Sequence, residues 1–170
     1  MAIAIVLAAC APVAPHLSGT ELDLALAPDF TLADGVTGSP VTLSSLRGNV
    51  VALAFLYTHC PDVCPLTAAQ FRAAQSQLGQ DASRVRFVAV SVDADGDTPS
   101  AVTAFSLAHD LRDNWHYLIG PRTALQPVWI ALRANVRAVV ENVTLAALAQ
   151  NELPASVQRL AEDPEAWSRR

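Results

Sequence analysis

Along this chain the spacing of apolar residues switches between unbroken runs and helical faces, and each spacing points to an element. Val50 to Tyr57, VVALAFLY, is apolar without a break. Continuous rather than alternating hydrophobicity predicts a central strand covered on both faces. From Asp62 to Leu78 the pattern turns helical, with Phe71, Ala74 and Leu78 at i, i+3 and i+7 along one face and Gly79 as the stop. Val85 to Val92, VRFVAVSV, predicts a second strand that runs into a loop from Asp93 to Asp97. Thr98 followed by Pro99 has the form of an N-cap and first helical residue, starting a helix to about His109. Tyr117 to Ile119 predicts a short third strand, and Thr123 to about Arg133 a third helix. Upstream, Pro28 to Gly48 sets short apolar pieces between Asp-Gly and Gly-Ser-Pro turn signals. That pattern predicts a hairpin with strands at Phe30–Leu32 and Val41–Leu43. The order is hairpin, then strands and helices in alternation, which implies an α/β domain with a parallel, doubly covered sheet.

The first residues do not belong to this pattern. Met1 to Pro15, MAIAIVLAACAPVAP, is an apolar run shorter than the roughly 18–20 residues a spanning helix needs, and it fits a signal-peptide core. Leu7-Ala8-Ala9-Cys10 resembles the bacterial lipobox, in which the cysteine is diacylated before cleavage. Residues 1–9 are therefore read as a lipoprotein signal peptide, Cys10 as the lipid-bearing residue, and 10–27 as a tether to the outer face of the bacterial cytoplasmic membrane. No Lys or Arg precedes Arg47, although a signal peptide normally opens on positive charge. The expectation is that the true start lies upstream, or that Met1 is internal to a longer leader.

Composition narrows the functions. With 52% hydrophobic and 16% charged residues in 170, the chain can bury an ordinary core and is not a disordered or highly charged binder. Its net charge is −5, and no basic run exceeds Arg169-Arg170, so nucleic acid is not an expected partner. Every cation is an arginine, which excludes a catalytic lysine that forms a Schiff base.

The candidate chemistry lies where the first long strand ends. Cys60 and Cys64 are four positions apart, so a helix starting at Pro61 would set both thiols one turn apart on one face. A thiol at a helix N-terminus is biased toward thiolate. Thiolate sulfur suits Cu(I), whereas Cu(II) also seeks imidazole nitrogen. A C-x3-C pair alone could also be incidental, a structural disulfide or half of a zinc site. A four-ligand zinc set is not evident among Cys10, His16, His59, His109 and His116. His59 adjoins Cys60, but neighbouring positions face apart, so it is read as lying beside the site or exposed. His109 and His116 are read as structural or solvated. Asp93 to Asp97 lacks the glycine position and terminal glutamate of a calcium loop and is read as a turn, with Asp93 near the site because it follows the adjacent strand.

Tyr57-Thr58-His59-Cys60-Pro61-Asp62-Val63-Cys64-Pro65 resembles the signature of the SCO/SenC family, the copper chaperones of the cytochrome c oxidase CuA centre. Asp29-Phe30-Thr31-Leu32, Leu46-Arg47-Gly48, Ser91-Val92-Asp93 and Asp97-Thr98-Pro99 match it in the same order. The resemblance implies a thioredoxin-like fold with an N-terminal β-hairpin over 28–140. It also implies copper held by Cys60 and Cys64, with Cu(I) favoured for the pair, and a redox-active dithiol. The implied partner is the CuA subunit of cytochrome c oxidase or another copper chaperone. A membrane-anchored thiol–disulfide oxidoreductase is the alternative, since it would use the same two sulfurs. The family's third ligand is a later histidine, and this chain has none after His116. From Val139 onward the sequence reads as helix or loop broken at Pro154 and Pro164, so the C-terminal part is expected to be truncated or diverged, with 141–170 a tail.

The anchor can be tested directly. Expressed from its native upstream start with labelled palmitate, the wild-type chain is expected to carry label and sediment with membranes, and Cys10→Ser is expected to lose both. Two acyl chains hold firmly where one is marginal, at roughly 0.8 kcal/mol per buried CH₂. Unlabelled wild type in the membrane fraction would instead mark a spanning helix.

Overall fold

In the computed structural model the described residues are 26–111, 113–141 and 150. Cys10, the leader, most of the tether and most of the tail lie outside them. Residues Leu26–Val140 form one compact unit, to which the following description refers.

Its strands are β1 (Thr31–Asp34), β2 (Pro40–Thr42), β3 (Val50–Leu56), β4 (Val85–Ser91) and β5 (Trp115–Ile119). Its helices are α1 (Val63–Gln77), α2 (Pro99–Ala108) and α3 (Arg122–Glu141). The sheet order is β2-β1-β5-β4-β3. β3, β4 and β5 are parallel neighbours, as the alternation of strands and helices requires, because each crossover carries a helix. The predicted hairpin forms, but it joins the same sheet: β1 runs antiparallel to both β2 and β5. The sheet is thus mixed rather than wholly parallel.

Strand period sorts the core onto two faces. Phe87 and Ala89 of β4 and Trp115 and Tyr117 of β5 pack with Ala68 of α1, Val102 and Phe105 of α2, and both thiols. Val88 and Val90 of β4 and Leu118 of β5 pack on the other face with Leu32, Val41, Leu125 and Val128. α1 turns Phe71, Ala74 and Leu78 toward the first cluster, the face that their spacing predicts. Gly79 follows it at φ 53, a left-handed residue that glycine adopts without Cβ strain. Thr98 caps α2, its hydroxyl accepting the Ala101 amide at 3.2 Å, with Pro99 in the first turn.

Three expectations are corrected. β5 begins at Trp115 rather than Tyr117, since Phe87 pairs with Trp115 and Val88 with His116. α3 continues to Glu141 rather than ending near Arg133, because no glycine or proline follows Pro127 until Pro154. The unbroken apolar strand β3 is not central. The strand covered on both faces is β4, whose residues Phe87 to Ser91 are all buried. β3 pairs only with β4 among the described strands, and Val50 and Leu53 on it are 66% and 38% exposed.

Asp34 closes the β1–β2 turn, accepting the Val36 amide at 2.8 Å and pairing with His116 Nδ1 at 2.9 Å. Burial alone would raise its carboxyl pKa, but the His116 contact and the Val36 and Thr37 amides outweigh it and hold the value below the ordinary one.

Leu118, 1% exposed on the α3 face, has little room to collapse around a missing side chain. Leu118→Ala is expected to destabilise the unit by about 2–5 kcal/mol, read as a lower urea midpoint at unchanged m-value.

Candidate functional site

β3 ends at Leu56, whose carbonyl accepts the Val92 amide at 2.9 Å and so fixes the strand end against the end of β4. The chain then enters the loop that carries the thiols. It folds back at once, with the Cys60 amide donating to the Tyr57 carbonyl at 3.3 Å. α1 begins at Val63, two residues later than a start at Pro61. Cys60 therefore precedes the helix, and it reaches the helix N-terminus through its sulfur, which accepts the Cys64 amide at 3.4 Å. That amide is among the donors a helix start leaves unsatisfied. Both residues are free thiols and buried, at 7% and 3% exposure.

The two sulfurs are not equivalent. The Cys64 thiol donates to Cys60, and together with the Asp62 and Cys64 amides and the Tyr57 hydroxyl it brings the Cys60 pKa down to about 7, against the opposing effect of burial. Cys64 moves up, first because it is buried and then because its proton is shared with Cys60. As pH rises the thiolate thus forms first on Cys60, while Cys64 keeps its proton. Such a pair can attack a disulfide through Cys60 and resolve through Cys64, or present two sulfurs to a soft metal once both are deprotonated. The Tyr57 hydroxyl is shifted up mainly by its hydrogen bond to Cys60.

A buried carboxylate holds the loop in place. Asp97 Oδ1 accepts the Thr58 amide and the Thr58 hydroxyl, both at 2.8 Å. Its Oδ2 accepts the Ser91 hydroxyl at 2.6 Å and the Tyr117 hydroxyl at 3.1 Å. Tyr117 titrates well above its ordinary value, first because it is buried and then because Asp97 lies against it. The residue before Cys60's neighbour, the end of β4 and the middle of β5 are thereby joined at one side chain.

The thiol pair that the spacing indicates is brought together. Asp93 makes the turn expected of it, its Oδ1 accepting the Gly96 amide at 2.9 Å. His59 is exposed, with Nδ1 3.2 Å from the Thr58 hydroxyl. His116 contacts Asp34 on the opposite side of β5 from Tyr117, and His109 ends α2 with its ring 4.5 Å from Phe105. The supporting roles of Asp97, Tyr117 and Tyr57 were not legible in the sequence. An aspartate in an Asp-rich loop looks solvated, and only the Ser91-to-Pro99 motif hinted that this one is held.

Alkylation of Cys60 should rise with pH around a midpoint near 7, as the thiolate forms. Cys64→Ala removes the strongest hydrogen bond to that thiolate and is expected to move the midpoint upward. The check is the pH profile of iodoacetamide labelling at Cys60, read by peptide mass. An unmoved midpoint would leave Cys64 without influence on its partner.

Comparison with known proteins agrees with this geometry. The SCO1/SenC family model matches residues 19–147. The SCO1 protein homolog of Bacillus subtilis (strain 168) is 34% identical over 84 residues, which is 49% of this chain and 44% of that protein. The structure of Bradyrhizobium japonicum ScoI with copper bound superposes with a TM-score of 0.59 at 32% identity, covering 64% of this chain and 68% of that one. A shorter similarity, 54% over 44 residues, is to a Mycobacterium tuberculosis protein named for an HTH-type transcriptional regulator; it takes in 26% of this chain and 27% of that protein. The chain spans less than half the length of the curated relatives it matches. With the family model covering most of its length and a thioredoxin-like α/β unit around the cysteine pair, this chain belongs to the SCO1/SenC family.

Proposed function

We propose that the chain is a copper-binding protein of the metallochaperone type, in which Cys60 and Cys64 hold copper as Cu(I). The observation that carries this reading is the pair itself. Two buried free thiols share a proton at a helix start, and one of them is already biased to thiolate near neutral pH. A soft monovalent ion needs no more than two such sulfurs, and it would displace the shared proton. Support also comes from the copper-bound protein named above, whose fold this unit resembles.

The recipient in this reading is the CuA site of cytochrome c oxidase or another copper chaperone, and the protein works at the outer face of the bacterial cytoplasmic membrane, held there through Cys10. Delivery asks that the ion be bound without being buried beyond reach. The loop meets this need, because His59, Pro61, Asp62 and Val63 around the thiols are exposed although the sulfurs are not. The asymmetry of the pair favours a second use of the same atoms, thiol–disulfide exchange that keeps the recipient's cysteines reduced. In that step the Cys60 thiolate attacks one sulfur of the recipient's disulfide to give a mixed disulfide. The Cys64 thiolate then displaces the recipient, leaving Cys60–Cys64 oxidised and the recipient's two sulfurs reduced.

Anaerobic titration with a Cu(I) indicator tests the first reading. The reduced wild type is expected to retain about one Cu(I), the capacity of one soft two-thiolate site, and Cys60→Ser/Cys64→Ser none. Equal retention by the two proteins would remove the thiols from copper binding. Alkylation before and after mild oxidant tests the second use: loss of both labels on oxidation is expected, and unchanged labelling would rule out cycling.

A further inference from the structure

The end of the unit that carries the thiols has an apolar rim. Val63 and Leu66, 61% and 58% exposed, are three apart in the first turn of α1 and so share one face beside Cys64. Val92, 42% exposed, stands at the end of β4, where its amide donates to the Leu56 carbonyl just ahead of the cysteine loop. Leu107 and Val50 are exposed too, but they lie at the other end of the sheet, near the starts of β5 and β3. Apolar side chains scattered in this way are normal on a surface, whereas a group of them around buried, reactive sulfurs is a contact face.

The same end is acidic. Asp62 is exposed between the two cysteines, and Asp93 and Asp95 follow Val92. The charges of Cys60, Cys64 and Asp93 all act on the Tyr57 hydroxyl, which puts Asp93 beside the sulfurs. Arg122, at the start of α3, is held by Asp95 at 2.9 Å, so it leaves Asp62 and Asp93 without a cation among the described ion pairs. The other described guanidinium groups lie elsewhere. Arg47 precedes β3 and Arg84 and Arg86 flank the start of β4, at the opposite end of these parallel strands. Arg72 is bound to Asp110, and Arg133 is about three turns down α3 from Arg122.

We propose that this end docks a polypeptide segment that presents its cysteine among apolar residues flanked by lysine or arginine. The segment's apolar side chains cover Val63, Leu66 and Val92, and its cations meet Asp62 and Asp93. The inference rests on the reading that Cys60 and Cys64 serve a recipient's cysteines, and it states what the recipient carries around them. Charge complementarity selects the partner: a cationic segment is steered in and oriented, while an acidic segment or an anionic lipid surface is repelled. Covering the three aliphatic side chains supplies attraction that does not depend on charge. A thiolate on Cys60 adds negative charge to the same end, so the preference for a cationic segment strengthens when the pair is ready to react.

The test uses the full chain, reduced and free of metal, with two labelled peptides. Both carry valine and leucine around a central serine that replaces the cysteine; one is flanked by lysines and the other by glutamates. Fluorescence anisotropy gives the affinities, and amide shifts in the ¹⁵N spectrum give the place. The lysine peptide is expected to bind the more tightly, with shifts at residues 57–66 and 92–97, and its advantage should shrink at high salt. Asp62→Asn and Asp93→Asn should each weaken it by up to about fivefold, the range for exposed charge pairs. Asp62→Lys should move the preference toward the glutamate peptide, Leu66→Ser should weaken both peptides, and Leu107→Ser neither. Circular dichroism verifies that each variant is folded. Equal affinity for the two peptides, no binding of either, or shifts confined to other parts of the unit overturns the proposal. Neither peptide has a thiol and no copper is present, so this outcome is separate from the copper and exchange tests, whose failure would overturn the thiol reading and not the docking face.

Discussion

Asp97 is a carboxylate out of water, and the arrangement of the whole cysteine loop follows from how it is satisfied. Four donors converge on its two oxygens: the Thr58 amide and hydroxyl, the Ser91 hydroxyl and the Tyr117 hydroxyl. Hydrogen bonds to a charged group contribute about 1.5–3 kcal/mol each, and a buried donor left without its acceptor costs about 1–3 kcal/mol. Loss of this one side chain would therefore orphan several groups at once. The geometry of the thiols depends on it because Thr58 lies two residues before Cys60, and the loop has no other side-chain tie to the end of β4 among the described hydrogen bonds. Asp97 also lies next to Thr98, the cap of α2, so the same short segment starts a helix and braces the loop opposite it.

The sheet adds a second constraint through its period. Alternate residues of β4 and β5 go to opposite faces, which places Phe87, Ala89, Trp115 and Tyr117 under the thiols and Val88, Val90 and Leu118 under α3. The thiol face is aromatic, with Trp115 and Tyr117 rings 5.8 Å apart and edge-on, and Phe71 of α1 in contact with Phe87 and Trp115. A stiff floor of this kind holds Cys64 at low exposure on α1. Low exposure disfavours its thiolate, and this, together with the hydrogen bonds that Cys60 accepts, separates the two sulfurs.

Much of this was legible in the chain. The helical spacing of Phe71, Ala74 and Leu78, the Thr98-Pro99 cap, the hairpin turn signals and the cysteine pair all correspond to what forms, because each is a local rule that acts over a few residues. What escaped the sequence is set by long-range pairing. The addition of the hairpin to β5, the edge position of β3, and the ties of Asp97 to Thr58 and Tyr117 depend on partners far away along the chain, for which periodicity carries no signal. His59 is intermediate. Its exposure was legible from its place in the loop, but its contact with the Thr58 hydroxyl was not.

β3 has a further consequence for the protein in solution. Its seven residues contain no charge, proline or glycine, and within the described unit its outer row of amides and carbonyls pairs with no other strand. Sheets usually protect such a margin with a lysine, a bulge or a covering element, because an extended chain that meets it can zip on in register. Val50 to Leu56 has none of the residue-level safeguards, so the span that presents the thiols is also the one where self-association would nucleate. Colloidal behaviour, rather than the folding free energy of the unit, would then set the upper limit on the concentration at which the chemistry of its thiols can be observed.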